Sequence, residues 1–425
     1  MSVVVRTARG WILDQSSLAS RGFERCPVGE GFAAFTFKRE YFETSKPHIE
    51  ETRGDGDGDG DGGGHDGTPG HTGTTRRKRK RKHEELNQGE IDAQDYHGKV
   101  RKVILEGMEF FVELGRMCGY LTQADGERRL LAAHDDHLAE LCDTAKQLPL
   151  VDDSEQQPVQ SVDSDNESLD QLDVFTRVTE NQSPFAREVT FLGEGYLLPP
   201  LCSFLLSDIS RLQPLVNYGK KFDAIVLDPP WENKSVKRSN KYSCLPSSQL
   251  AQLPVPDLCA PNCIVATWVT NRQQHRRFVW EELYPRWGVE PQAEWLWVTR
   301  SGVYVFPLDS PHKKPYEVLV LGRFRRSKSD CPCSSAVDQG ATLPDHKLIV
   351  SMPSRLHSHK PSLAEVVKEF LGPDSQCLEL FARNLQPGWT SWGNEVLKFQ
   401  HRSYFEMTPG VPPSPSVPED PSVTS

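Results

Sequence analysis

From about Phe185 onward, apolar runs of strand length alternate with amphipathic stretches of helical period, and this alternation restricts the fold more than any other feature. Val189 to Leu192 and Tyr196 to Leu198 flank Gly193-Glu194-Gly195, the pattern of a hairpin. Further strand-like runs are Phe222 to Leu227, Ile264 to Trp268, Trp295 to Val298, Val318 to Leu321, Lys347 to Val350 and Cys377 to Phe381. Helical spacing is found at about Gln273 to Leu283 and at Leu363 to Leu371. The second of these has Ser362 and Glu365 as a capping box and stops at Gly372-Pro373. Such an order predicts an α/β domain with a largely parallel sheet over residues 184–405.

The remainder reads as smaller units and linkers. Residues 1–50 contain short apolar and aromatic stretches, notably Gly31 to Phe37, that could pair into a small sheet. Residues 51–83 combine a Gly/Asp repeat with the run Arg76-Arg77-Lys78-Arg79-Lys80-Arg81-Lys82, which reads as a flexible linker ending in a nuclear-import signal or a loose nucleic-acid contact. Asn87 and Glu90 are spaced as a helix cap. Ile91, Val100, Ile104, Met108, Phe111 and Leu114 then recur at helical intervals, and a further helical piece lies near Leu138 to Leu148. Residues 84–150 are therefore expected to form a small, mostly helical accessory domain. Residues 151–183 read as an acidic linker and 406–425 as a disordered Pro/Ser tail.

The net charge of −10 over 425 residues misleads until it is divided by region. Pro199 to Phe405 carries 25 Lys and Arg against 19 Asp and Glu, so the acidity lies in the rest of the chain. A locally basic domain suits a phosphate backbone. No apolar run is long enough to span a bilayer, which leads to the expectation of a soluble, intracellular protein. The ten cysteines are scattered; only Cys259 with Cys263 and Cys331 with Cys333 are close in sequence, so neither a disulfide framework nor a metal site is expected.

The run Phe222 to Leu227 ends abruptly in Asp228-Pro229-Pro230-Trp231. Ligands of open α/β sheets collect at the carboxyl ends of strands, so chemistry is expected here. The residue types suit an amine whose lone pair is delocalised, such as the exocyclic N6 amine of adenine. Asp228 can accept one N–H and the Pro229 carbonyl the other, while the carboxylate stabilises the charge that develops on nitrogen. Two prolines fix the carbonyl direction. Trp231 is read as a face for the unstacked base.

With this tetrapeptide the sequence resembles the Asp-Pro-Pro-Trp family of adenine-N6 methyltransferases, at motif level from about Tyr196 to Phe405. The resemblance implies a Rossmann-like methyltransferase domain with permuted motif order, the catalytic loop preceding the cofactor motifs, and S-adenosyl-L-methionine as cofactor. Ser358-His359-Lys360-Pro361 resembles the second active-site loop, whose lysine approaches the cofactor carboxylate. Glu379-Leu-Phe-Ala-Arg383 resembles the cofactor strand and turn, with Ala382 where Gly is usual. Arg383 and Asn384 are thereby implied at the cofactor tail and ribose, Asn394 and Glu395 at the ribose diol, and Asp208 and Ile209 around the cofactor adenine. The resemblance also implies that Asp228 borders the cofactor.

Lys234, Lys237, Arg238 and Tyr242 come directly after the catalytic loop and are read as substrate contacts, with Arg355, His357 and His359 flanking Lys360. Lys313, Lys314, Arg323, Arg325, Arg326 and Lys328 form a second basic set. The expected partner is nucleic acid; the loop sees only the base, and it is the family resemblance that favours RNA, in particular small nuclear RNA and adenosine methylated on its ribose. DNA is the alternative, and a non-catalytic RNA-binding partner or a chromatin or splicing scaffold are readings of other classes. No membrane and no obligate catalytic partner are expected, and the location is nuclear, with the cytosol second.

Overall fold

The computed structural model describes residues 2–42, 88–120, 159–162, 168–208, 211–232, 245–301, 304–305, 308, 314–325, 342–356 and 358–409. Their strands are β1 (Val3–Thr7), β2 (Gly10–Leu13), β3 (Cys26–Val28), β4 (Gly31–Phe37), β5 (Gln160–Ser161), β6 (Thr179–Glu180), β7 (Arg187–Phe191), β8 (Glu194–Leu198) and β9 (Ser203–Leu205). They continue as β10 (Phe222–Leu227), β11 (Cys259–Val269), β12 (Val289–Ser301), β13 (Tyr304–Val305), β14 (Tyr316–Phe324), β15 (Leu348–Ser351), β16 (Cys377–Leu380), β17 (Trp389–Trp392) and β18 (Phe405–Pro409). Two amino-terminal helices pack on this framework, α1 (Gln15–Ala19) and α2 (Gln88–Met117).

A large sheet runs in the order β1-β2-β15-β12-β14-β11-β10-β16-β17-β9-β6-β5, with β13 appended to β12. Its centre is parallel: β10 pairs in parallel with both β11 and β16, β16 with β17, and β17 with β9. β14 alone is antiparallel within the run from β11 to β12. The central strands are apolar on both faces because both faces are covered, as parallel sheets require. This is the expected α/β, Rossmann-like architecture, with the Asp228 strand preceding β16 and β17 in sequence while lying beside them in space.

Several segments expected to stand apart are integrated with the domain. α2 buries Val100, Ile104, Met108 and Phe111 in the same core as Ile225, Val265 and Val320, so it is a layer over the sheet rather than a separate helical domain. β1 and β2 extend the large sheet through β15, where Ile12 pairs with Val350. β3, β4 and β18 form a second sheet, in which Met407 pairs with Phe35, so residues 405–409 are a strand where a tail was expected from 406. β5 and β6 place parts of the expected acidic linker at the far sheet edge. The helical piece expected near Leu138 to Leu148 lies outside the described residues, as does the basic run at Arg76 to Lys82. Among the described residues, no helix is long and apolar enough to cross a membrane.

Candidate active site

β10 leads on to β11 on one side of the sheet and β16 leads to β17 on the other, so the strand order reverses between β10 and β16. That is where an open α/β sheet forms a ligand crevice. Because β9, β10, β16 and β17 run parallel, their carboxyl ends emerge on one edge: Ser207 and Asp208 after β9, Asp228 after β10, Phe381 to Arg383 after β16, and Gly393 to Glu395 after β17. Two turns at this edge take the left-handed backbone conformation on ordinary residues, Phe381 at φ 61° and Ser358 at φ 62°, which is the kind of strain functional sites retain. Ala382 is buried and accommodated because its neighbour is Gly393, where a Cβ would lie 2.7 Å from the Ala382 carbonyl oxygen. The small side chain demanded by this crossing is at 393.

Six side chains form a chain of alternating charge along the edge. Glu317 Oε2 lies 2.7 Å from Lys360 Nζ, which lies 3.7 Å from Asp228 Oδ1. Arg383 Nη1 donates to Asp228 Oδ2 at 2.6 Å and its Nε to Glu395 Oε2 at 3.0 Å, and Lys398 Nζ meets Glu395 Oε1 at 2.9 Å. Burial alone would lower the Lys360 and Arg383 pKa values, but Asp228 with Glu317, and Asp228 with Glu395, outweigh it and hold both above their ordinary values. Burial would raise the Glu395 carboxyl, and Arg383 and Lys398 outweigh it, so Glu395 is held low. Lys360, Arg383 and Glu395 are thus charged at neutral pH. Beneath them, burial pushes the Glu379 carboxyl up to about 7, and Gln386 donates to it at 2.8 Å.

The structure therefore brings together Asp228, Lys360, Arg383 and Glu395. Asp208 and Asn394 stand at the carboxyl ends of β9 and β17 on the same edge. Asn384 lines a cleft of about 220 Å³ that reaches from Lys360 past Gln386 to α1. Ile209, Lys234, Lys237, Arg238, Tyr242 and His357 lie outside the described residues, as do Lys313, Arg326 and Lys328. Arg323, of the second basic set, is buried, with Nη1 donating to the Asn262 carbonyl at 3.0 Å. Arg325 pairs with Glu290, and Lys314 donates to the Leu308 carbonyl.

Two readings of the sequence are corrected. Trp231 is not an open face: it is 8% exposed, its indole N–H donates to the Trp268 carbonyl at 2.8 Å, and His275 stacks on it at 4.8 Å. The indole is the largest apolar group on the loop, and packing it holds the loop down. One lone pair of the Pro229 carbonyl is already used by the Trp231 amide at 2.8 Å, leaving the other for a ligand. His359 is not an open contact: it is buried, stacked on Phe399 at 4.1 Å and flanked by Phe37 and Phe42 of the amino-terminal region. Arg355 is tied to that same region, its backbone N–H donating to the Tyr41 carbonyl at 2.7 Å.

Glu317 was not picked out from the sequence, although a carboxylate inside the apolar run Tyr316 to Leu321 was the available signal. Lys398 and His275 carried no local signal at all. Among the described residues no group of three or more His, Cys, Asp or Glu could hold a metal.

Burial lowers the pKa of His275 to about 4 and of His359 to about 3, from an ordinary value of 6.5, and neighbouring Arg272, and Arg383 with Lys398, act in the same direction. Below about pH 6.5 the unfolded chain binds protons that the folded chain refuses, so stability is full above that pH and falls as pH drops toward 4. The melting temperature should be several degrees lower at about pH 5 than at about pH 7.5, and His359→Phe should shrink that difference in a thermal melt.

The MT-A70 family model matches residues 222–395, the span from the first residue of β10 to Glu395. A human protein named N(6)-adenine-specific methyltransferase METTL4 is 56% identical over 328 residues, 75% of this chain and 69% of that protein. An RNA methyltransferase of Pyricularia oryzae, N6-methyladenosine RNA methyltransferase MTA1, is 35% identical over 52% of this chain and 59% of its own. A Caenorhabditis elegans protein named DNA N6-methyl methyltransferase is 31% identical over 50% of this chain and 56% of its own. The matched span contains Asp228, Glu317, Lys360, Arg383 and Glu395, the charged core of the site edge, and the chain belongs to the MT-A70 family of adenine-N6 methyltransferases.

Proposed function

We propose that the chain transfers a methyl group from S-adenosyl-L-methionine to N6 of adenosine in RNA, with small nuclear RNA and 2′-O-methyladenosine as the favoured target. The observation that carries this reading is the way Asp228 is held. Arg383 occupies Oδ2 at 2.6 Å, while Lys360 is closer to Glu317 than to Asp228, so Oδ1 remains the acceptor for an amine N–H. The Pro229 carbonyl, fixed between prolines, offers its second lone pair to the other N–H. Drawing both hydrogens aside localises the nitrogen lone pair and stabilises the positive charge that develops as the bond to methyl forms. The remainder is positioning, with no covalent enzyme intermediate.

The edge fits the cofactor. Ser207 Oγ, after β9, and Trp392 Nε1, at the end of β17, are buried without a hydrogen-bond partner among the described residues, and Asp208, Glu395 and Lys360 supply acceptors and a cation along the same edge. Lys360 is assigned to the cofactor carboxylate, Glu395 and Asn394 to its ribose diol, Asp208 to its adenine, and Arg383 and Asn384 to its tail and ribose. When bound, the cofactor supplies the electrophilic sulfonium methyl. Lys360→Ala should weaken S-adenosyl-L-methionine binding by about tenfold or more in calorimetry, because it removes the cation that lies beside Asp228 Oδ1 among the described residues. Unchanged affinity would refute this assignment.

The test of the activity is methylation of matched RNA and DNA oligonucleotides, with nucleoside mass spectrometry of the products. N6-methyladenosine in RNA is the expected product, enriched where the ribose carries a 2′-O-methyl group. The name of the Caenorhabditis elegans relative favours DNA as the second reading, and product in DNA alone would establish it. Cofactor and RNA binding with no product on either substrate would instead mark a non-catalytic RNA-binding partner. The basic run at Arg76 to Lys82 is proposed to direct the protein to the nucleus.

A further inference from the structure

Asp228 is tethered on its inner side by Arg383, but the loop it belongs to is held on its outer side by the segment after β11. β11 runs parallel to β10, so its carboxyl end at Val269 delivers Thr270 to His275 directly beside Trp231 and Glu232. The Trp268 carbonyl takes the Trp231 indole N–H at 2.8 Å, and Arg272 Nη1 donates to the Glu232 carbonyl at 3.1 Å. The His275 ring lies nearly parallel to the Trp231 indole, 18° off, with centroids 4.8 Å apart, and Phe278 meets the same indole edge-on at 6.4 Å. His275 Nδ1 and Thr270 Oγ1 share a hydrogen bond at 2.6 Å, which fixes the ring plane.

The helix that carries His275 is anchored in turn. It starts as an α-helix at Gln273–Arg277 and opens into a π-helical turn over Phe278–Leu283. The wider turn lets His275 and Phe278 face Trp231 while Val279, Leu283 and Tyr284 are buried in the core beneath. The Tyr284 hydroxyl, bonded to the Val265 and Val320 carbonyls at 3.0 and 2.8 Å and to Thr267 Oγ1 at 3.1 Å, pins the helix to the centre of the sheet.

We propose that His275 is a positioning residue for methyl transfer: its imidazole, held by Thr270, is the platform that sets the Trp231 ring and through it the Pro229 carbonyl and Asp228 carboxylate. The linkage is short. The Trp231 amide donates to the Pro229 carbonyl at 2.8 Å, and the Leu245 amide donates to the Pro230 carbonyl at 2.9 Å, so a tilt of the indole turns the carbonyl offered to the amine. Displacements of about 1 Å at a reacting centre can cost roughly a hundredfold in rate. The imidazole acts as a flat, uncharged surface, since burial keeps it neutral.

This inference rests on the assignment of Asp228 to Trp231 as the transfer loop, and the test separates the two. His275→Ala, His275→Phe and Thr270→Val are compared with the wild-type full chain by steady-state kinetics on the oligonucleotide that the wild type methylates. Calorimetry with S-adenosyl-L-methionine, and hydrogen exchange across Asp228 to Glu232 in cofactor-free protein, complete the comparison. His275→Ala should lower kcat by at least about tenfold, leave cofactor affinity within about twofold, and speed exchange of the loop. His275→Phe, which keeps the stacked ring, should recover most of the rate, with Thr270→Val intermediate. A kcat within about twofold of wild type for His275→Ala overturns the proposal, and so does a His275→Phe variant as slow as His275→Ala, which would give the ring nitrogens a chemical role instead. Should His275→Ala fail to fold, Thr270→Val decides: a lowered kcat at unchanged melting temperature supports the platform, and an unchanged kcat refutes it. If the wild type transfers no methyl group, the loop assignment fails, and hydrogen exchange alone then decides whether His275 holds the loop.

Discussion

Asp228→Asn should abolish methyl transfer, with kcat reduced about a hundredfold or more, while the protein stays folded and still binds S-adenosyl-L-methionine. The reason is where the negative charge sits. Asparagine keeps the shape of the side chain but presents one neutral oxygen, which cannot stabilise the charge growing on the amine. Removal of a single acceptor of this kind typically costs about 10²–10³ in rate. Folding survives because each cation that Asp228 touches has a second carboxylate: Lys360 retains Glu317 at 2.7 Å and Arg383 retains Glu395 at 3.0 Å. Single-turnover methylation together with a thermal melt checks both halves. Turnover within a few-fold of wild type would remove Asp228 from the reaction.

Arg383→Leu should cost both stability and activity. Arg383 is the middle link of the alternating chain, and without it the chain falls into two pieces. Glu395 with Lys398 remains balanced, but Glu317, Lys360 and Asp228 are left with one negative charge too many in a poorly solvated site. Breaking a buried ion pair by deleting one partner typically costs about 3–5 kcal/mol, and a melting temperature lower by on the order of 10 °C is expected. Arg383→Lys should recover part of the stability and little of the rate, because one ammonium cannot bridge Asp228 and Glu395 in two fixed directions as the guanidinium does. Differential scanning fluorimetry and kinetics on the two variants distinguish a charge requirement from a geometric one. Equal rescue by lysine would mean that only the charge matters.

The core of the site was legible because its signals are local. A buried strand ending in Asp228-Pro229-Pro230-Trp231, a lysine at a Pro-flanked turn and the strand and turn Glu379-Leu-Phe-Ala-Arg383 each fit within a few residues, and the alternation of elements gave the sheet its class. What could not be read depends on pairings across long separations. β1 and β2 are too short to reveal that they complete the edge beyond β15, and nothing in Phe35 or Met407 announces that they are partners. α2 displayed its apolar stripe plainly, yet a stripe does not name the surface it covers. His359 and Trp231 were misread for a related reason. Aromatic rings beside an active-site motif serve equally well as contacts or as supports, and only packing distinguishes the two.

The permuted order of the central strands also shapes how the protein folds. β10 must pair with β16, and Ala224 meets Cys377 across about 150 intervening residues, a long loop to close before any contact compensates the lost chain entropy. The β7–β8 hairpin, by contrast, closes through Leu192 and Gly193 and can form early. Loop closure alone should thus bring the transfer loop and the cofactor edge together after β11, β12 and β14, whose pairings span shorter separations. Transfer activity should thus appear only with the slowest phase of refolding, behind the recovery of most secondary structure.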